Sequence, residues 1–312
     1  MADAPSAETA ATSAPAEATA RAFIDLYAGN ELSSEDAAAV TLRSPAHLVV
    51  LAGAAESGKT TVLASVYERL NAGPFAGFQF AGSRSLLGFE QICYLNRLAS
   101  GGTRPDTPRT VPSNEAAYYH LALCRAEPGA QRRHILLSAI SGELFRLATN
   151  SREDCERLTF LHRANTIVVL VDGARLAVTA QRTNAQSEAS SILESFLDAR
   201  MLGGRCRVEF VCSKLDRVLE AGDAAVEFLH ATETKLKKRF GGRVPNLAFR
   251  RIAAMPEFEP CGAPLNDGFA EAFTAWTTPV HVGADATPHV APPSDAREFA
   301  KYGWRYSARR NS

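Results

Sequence analysis

The fold turns on HLVVLAGAAESGKTTV, residues 47–62. Its first half is an aliphatic run; its second breaks into glycine, lysine and two threonines. A strand covered on both faces reads as an unbroken apolar run, so HLVVLAG predicts a buried strand ending at Gly53. From Gly53 the segment Gly53-Ala54-Ala55-Glu56-Ser57-Gly58-Lys59-Thr60 fits G-x-x-x-x-G-K-[ST] at every fixed position, with Thr61 following. Glycines let successive backbone N–H groups face one concavity, and the next helix adds its free amides and positive dipole end. Lys59 can then reach a β- or γ-phosphate, and the Thr60 hydroxyl can ligate magnesium. The strand before and the helix after supply the context such a loop requires.

Outward from this loop, strands and helices alternate. KTTVLASVYERLNAG predicts a helix with Val62, Leu63, Val66 and Leu70 inward, stopped by Gly73-Pro74. FAGFQFAG, AAYYHLALCRA, RRHILLSAI, NTIVVLVD, CRVEFVCS and LAFRRIAAM read as strands. LLGFEQICYLNRLASGG, GELFRLATNSREDCERLTFLHRA, EASSILESFLDARML, AAVEFLHATETKLKKRF and DGFAEAFTAWTT read as helices. The stretch TRPDTPRTVPSNE fits neither period. This alternation implies an α/β fold of three layers, a mostly parallel sheet with helices on both faces. The domain spans residues 46–280. Before it, residues 1–18 are Ala/Pro/Ser/Thr/Glu-rich, a composition that favours disorder. Residues 19–45 form a helical extension, with Phe23, Ile24, Leu26 and Tyr27 at helical spacing, and residues 281–312 read as a loose tail.

Lysine plus arginine and aspartate plus glutamate number 34 each, so no global field steers the chain to nucleic acid or an anionic membrane. The closing KYGWRYSARRNS is locally basic and reads as a solvated tail. Six cysteines lie far apart without a C-x-x-C pair, which argues against a zinc site or a disulfide framework. The N-terminal residues lack the basic-then-apolar pattern of a signal peptide, and no apolar run reaches a membrane span's length. A reducing cytoplasm is the expected compartment.

Further motifs specify the nucleotide. At the end of a later apolar strand, Ser213-Lys214-Leu215-Asp216 resembles the [N/T/S]-K-x-D element with which GTPases read guanine. An aspartate there accepts from the guanine N1–H and exocyclic amine, a pair adenine does not offer, while the lysine stem lies across the purine. In the next strand Ala253-Ala254 stands where GTPases place a small residue whose N–H meets the guanine oxygen. Between these elements should lie D-x-x-G, whose aspartate holds magnesium through water and whose glycine senses the γ-phosphate. The candidate is HILLSAISGELF: Gly142 is present, but the aspartate position is Ala139. Glu143 follows the glycine, where Ras-like proteins keep the residue that orients the attacking water.

The order of these motifs resembles that of the TRAFAC-class, Ras-like P-loop GTPases. More closely, GAAESGKTTVL, YLNRLASG, TPRT, LLSAISGELF, VVLVDG and SKLD are similar in order to the bacterial double-GTPase group, from about residue 45 to 278. The resemblance implies a switch that binds GTP, GDP and Mg2+, with partners such as a second GTPase or an effector encoded nearby in conflict- or defence-type gene clusters. Gly53 to Thr60, Gly142, Lys214 and Asp216 carry over directly; position 139 does not. It also implies a threonine in TRPDTPRTVP that binds magnesium and contacts the γ-phosphate, with Thr107 and Thr110 as candidates. Arg104 or Arg109 is a candidate internal arginine finger, although a solvated loop arginine is the commoner case.

Three readings stay open at this point. One is a slow GTPase switch, with Lys59, Glu143 and Thr110 as its catalytic set. The second is a nucleotide-binding scaffold that hydrolyses little, as Ala139 suggests. The third is an ATPase whose metal carboxylate is Asp172, at the end of TIVVLVD.

Overall fold

The computed structural model describes residues 29–94, 116–125, 127, 131–256 and 268–279, together with 295 and 297. Its strands are β1 (Ala46–Ala52), β2 (Phe78–Gly82), β3 (Ala117–Arg125), β4 (Arg133–Ala139), β5 (Thr166–Asp172), β6 (Arg207–Ser213) and β7 (Leu247–Arg251). They form one sheet in the order β2-β3-β4-β1-β5-β6-β7. Pairs from β4 to β7 are parallel, whereas β2–β3 and β3–β4 are antiparallel. The cause is the connections. Only a few residues join β3 to β4, enough for a hairpin, whereas a parallel return needs a crossover.

The crossovers are α4 (Gly142–Asn150) and α5 (Arg152–Glu156) between β4 and β5, α7 (Arg182–Asp198) between β5 and β6, and α9 (Asp223–Phe240) between β6 and β7. On the other side of the sheet lie α2 (Lys59–Ala72), α3 (Leu86–Cys93) and α10 (Phe269–Thr277). Side-chain alternation along β1 sorts the core: Leu48, Val50 and Ala52 join the layer containing Phe145, Phe196 and Phe240. Val49 and Leu51 join the layer containing Phe89, Phe273 and Trp276. Strand β5 is buried at every position, with Ile167, Val169 and Val171 on one face and Val168 and Leu170 on the other. An apolar sequence without alternation is what such two-faced burial demands. The predicted inward set of α2, Val62, Leu63, Val66 and Leu70, is buried as expected.

Three local differences from the sequence reading have physical reasons. Residues 142–164 read as one helix but break at Ser151, which closes α4 and caps α5 by accepting from the Asp154 N–H at 3.2 Å; a 3-10 turn at Thr159–Arg163 follows. Two short helices, α6 (Gly173–Ala177) and α8 (Leu215–Glu220), open directly off the ends of β5 and β6, too short to show a period. In the N-terminal extension, α1 (Ser34–Arg43) starts at a capping box between Ser33 and Asp36. The helix expected around Phe23–Tyr27 lies outside the described residues, as do residues 1–18 and the second half of the helix read in LLGFEQICYLNRLASGG, from residue 95 on. No helix among the described residues is long and apolar enough to cross a membrane.

Strand β1 sits where the sheet order switches. From it the chain crosses to the edge strand β2, returns through β3 and β4 to the side of β1, and then runs to the other edge through β5, β6 and β7. Ligands of open α/β sheets bind at the carboxyl ends of strands flanking such a point.

Candidate functional site

The loop from Gly53 to Thr60 leaves β1 at that switch point and feeds directly into α2. Two of its residues hold left-handed backbone, Glu56 at φ 64° and Gly58 at φ 94°. For glycine this is free; for glutamate it stores about 1 kcal/mol of strain, a feature that clusters at binding sites. Gly58 occupies the cap position of α2, and no side chain caps the helix and no acidic residue lies in its first turn. The amide-rich, positive end of α2 therefore opens onto the loop. The site is tight at Gly53, where a β-carbon would displace the Ser57 hydroxyl and crowd Leu170.

Lys59 folds back across the loop. Its Nζ donates to the carbonyl oxygens of Gly53 (2.9 Å) and Ala54 (2.7 Å), and the residue is only 8% exposed. Burial pushes the ammonium down to about 8. Thr60 and Thr61 follow in the first turn of α2, both half-buried. Ala54 is half-buried, and Ala55 and Glu56 are exposed on the outer side of the loop.

The Ser213–Asp216 turn docks on the same loop. Ser213 Oγ donates to the Ser57 carbonyl at 2.8 Å, and Lys214 Nζ donates to the Glu56 carbonyl at 2.8 Å. Lys214 itself sits at φ 51°, so two of the four non-glycine residues with positive φ among those described are hydrogen-bonded to each other here. Asp216 lies in the first turn of α8, 3% exposed, which a merely solvated helix-start aspartate would not be. The end of β7 reaches this turn as well: Ile252 N–H donates to the Cys212 carbonyl (2.8 Å) and Leu215 N–H to the Ile252 carbonyl (3.0 Å). Ala253, next along, is fully buried.

On the opposite side of the loop, β4 ends at Ala139 and α4 begins at Gly142. Gly142 packs so closely on the loop that a β-carbon would run into the backbone of Ala54 and Ala55. Glu143, one residue on, is exposed. A cavity of about 350 Å³ opens beside this contact, lined by Ala55, Gly142, Glu143 and Arg146 and walled by Arg175 and Glu188, which pair through two hydrogen bonds. Thr107, Thr110, Arg104 and Arg109 lie outside the described residues.

Asp172, the metal carboxylate of the ATPase reading, accepts hydrogen bonds at both oxygens. Its Oδ1 accepts from the Ala174 N–H (3.0 Å), capping α6, and its Oδ2 accepts from Lys214 Nζ (3.1 Å). Sequence patterns did not announce this pair, nor the bond from Ser213 to Ser57. The only hint was the Asp-Gly dipeptide closing an apolar strand.

The sequence pattern of the double-GTPase 2 family matches residues 47–277, from the first residues of β1 to the end of α10. The chain belongs to the double-GTPase 2 family. No curated protein sequence matches it. Among solved structures it is similar to the GTPase-like domain of S. cerevisiae Ski7 bound to GDP and inorganic phosphate, at 12% identity and TM-score 0.44, covering 78% of this chain and 52% of that one. It is similar to the SRb-GTP/SRX signal recognition particle receptor complex of Chaetomium thermophilum, at 11% identity and TM-score 0.39, covering 74% and 99%. It is also similar to a bacterial selenocysteine-specific elongation factor, at 13% identity and TM-score 0.36, of whose length it spans only 28% while 74% of this chain is covered. Likenesses this distant say nothing about what the double-GTPase chain binds.

Proposed function

We propose that this double-GTPase chain is a guanine-nucleotide switch: GTP or GDP lies along the Gly53–Thr61 loop with its base against Lys214, Asp216 and Ala253. The observation that supports this most is the meeting of the two strained turns. The loop read as holding phosphates and the turn read as holding a purine are joined by the bonds from Ser213 and Lys214 to the loop carbonyls. Denaturing the purified protein and identifying what it releases tests the reading directly. A guanine nucleotide is expected; an adenine nucleotide would return the ATPase reading.

In this reading the loop amides and Lys59 hold the phosphates, and Gly142, seated on Ala54 and Ala55, reports on the γ-phosphate. Magnesium, when bound, supplies positive charge at the β- and γ-phosphates. Thr60 is the described hydroxyl suited to it, and among the described residues no group of three His, Cys, Asp or Glu forms a metal cluster. Position 139 offers no carboxylate to the metal's water shell. Hydrolysis is therefore slow in this reading, and Glu143, which follows Gly142 in sequence, is the residue proposed to act on water. A scaffold that hydrolyses little is the second reading, and Ala139 favours it. Ala139→Asp separates the two: turnover in magnesium is expected to rise about tenfold or more, worth ~1.4 kcal/mol of barrier. Unchanged turnover would show that β4 is not the metal strand.

Lys59 gives the site a pH signature. Phosphate binding needs the ammonium, whose proton is lost near pH 8 in the nucleotide-free protein. Below that pH guanine-nucleotide affinity is expected to be flat. Above it, affinity should fall by up to about tenfold per pH unit, because binding then requires proton uptake. Titrations of a fluorescent GDP from pH 6.5 to 9.5 check this; a flat profile would mean that Lys59 stays charged without a phosphate.

As in other switches, α4 and the segment after Ser141 are the surface a protein partner reads. The family resemblance supports a bacterial multi-component system of conflict or defence type, with a second GTPase or an effector as that partner, in the cytoplasm.

A further inference from the structure

We infer that Asp172 is a positioning residue for guanine recognition: it anchors Lys214 against the phosphate loop so that the lysine stem forms a fixed wall of the base site. The inference rests on the guanine-switch reading of this same site and adds to it a residue outside both the phosphate loop and the Ser213–Asp216 element.

The geometry carries it. Lys214 Nζ donates to two acceptors, the Glu56 carbonyl at 2.8 Å and Asp172 Oδ2 at 3.1 Å. A carbonyl alone is a weak anchor for a flexible ammonium stem. The carboxylate adds charge, and at 5% exposure it is shielded from competing water, while the lysine side chain remains 35% exposed. The carboxylate cannot swing away, because its other oxygen caps α6 through the Ala174 N–H. Three strands' ends are thereby tied: β1 through Glu56, β5 through Asp172 and β6 through Lys214.

Gly173 makes this approach feasible. A β-carbon there would collide with the carbonyl oxygens of Ser213 and Lys214, so the β6 turn rests directly on the β5 end. Lys214 in turn accepts left-handed backbone at φ 51°, a conformation unfavourable for a side-chain-bearing residue. The bonds to Glu56 and Asp172 hold that strained turn together with those of the flanking Ser213 and Leu215. The Asp172-Gly173 dipeptide and the Ser213–Asp216 element therefore act as one unit.

Asp172→Asn tests the charge while keeping a capping oxygen, and Asp172→Ser does the same with a smaller side chain. Each is expected to release fluorescent GDP about tenfold faster than the native chain, the scale of losing one partner of a shielded ion pair. Lys214→Ala is expected to show a similar acceleration, and Asp172→Asn combined with Lys214→Ala no further one, since both remove the same anchored stem. Thermal melting of the nucleotide-free variants is expected to stay close to native, whereas a merely structural role would lower it in step with the faster release. If the neutral variants release GDP at the native rate, or if the two substitutions multiply independently, the inference is overturned while the guanine-switch reading stands. If the native chain binds no guanine nucleotide, both fall together.

Discussion

Lys59→Ala is expected to reduce affinity for GTP and GDP at least a hundredfold, to below what a fluorescent-nucleotide titration at micromolar protein detects. A hundredfold is about 2.7 kcal/mol, an ordinary magnitude for losing an ammonium that makes charge-assisted bonds to phosphate in a shielded site. The structure adds a second cause. Lys59 also braces the loop by donating to the Gly53 and Ala54 carbonyls, so alanine removes the phosphate contact and loosens the cradle together. The fold itself should survive. The lysine is buried at the helix start, where burial disfavours its charged form, so its removal relieves a desolvation penalty as well as losing two bonds. A circular-dichroism melt of the nucleotide-free variant should stay close to that of the native chain. Binding within threefold of native in a folded variant would show that phosphates lie elsewhere.

The second large effect is on the base. The native chain is expected to bind GTP at least about tenfold more tightly than ATP, and Asp216→Ala to erase that preference by weakening GTP alone. Asp216 is 3% exposed beside the Lys214 turn, so a wrong base would leave a buried carboxylate facing acceptors rather than donors. Discrimination built on unpaired buried groups is stronger than discrimination built on shape. Competition of unlabelled GTP and ATP against one fluorescent guanine nucleotide measures both ratios in a single format. Equal affinities for the two nucleotides in the native chain would remove Asp216 from the base site.

These experiments bear on a site whose parts differ in how visible they were. The phosphate loop was legible because its chemistry demands fixed spacing: glycine where the backbone turns, lysine at the helix start, threonine next. The alternating strands and helices were equally legible, since burial on two faces leaves strands such as TIVVLVD apolar throughout. The break at Ser151 was not, because a serine inside an amphipathic run looks the same whether it faces water or caps a helix. Helices α6 and α8 were missed for a related reason: at five and six residues they have no period to read.

Sequence by itself therefore determined the layered α/β architecture, the loop at the end of β1 and the kinds of residue proposed to face a nucleotide, because each is set by local spacing and by patterns of burial. Only the tertiary structure decided how they combine. That Lys214 reaches Glu56 and Asp172, and that Gly142 lies on Ala54 and Ala55, depends on strand ends far apart in the chain arriving within hydrogen-bond or van der Waals reach. The physical reason is sheet order: β1 stands between β4 and β5, and β6 lies next to β5, all parallel, so residues 53–60, 142, 172 and 214 meet at the carboxyl ends of these strands. No one-dimensional pattern encodes that adjacency.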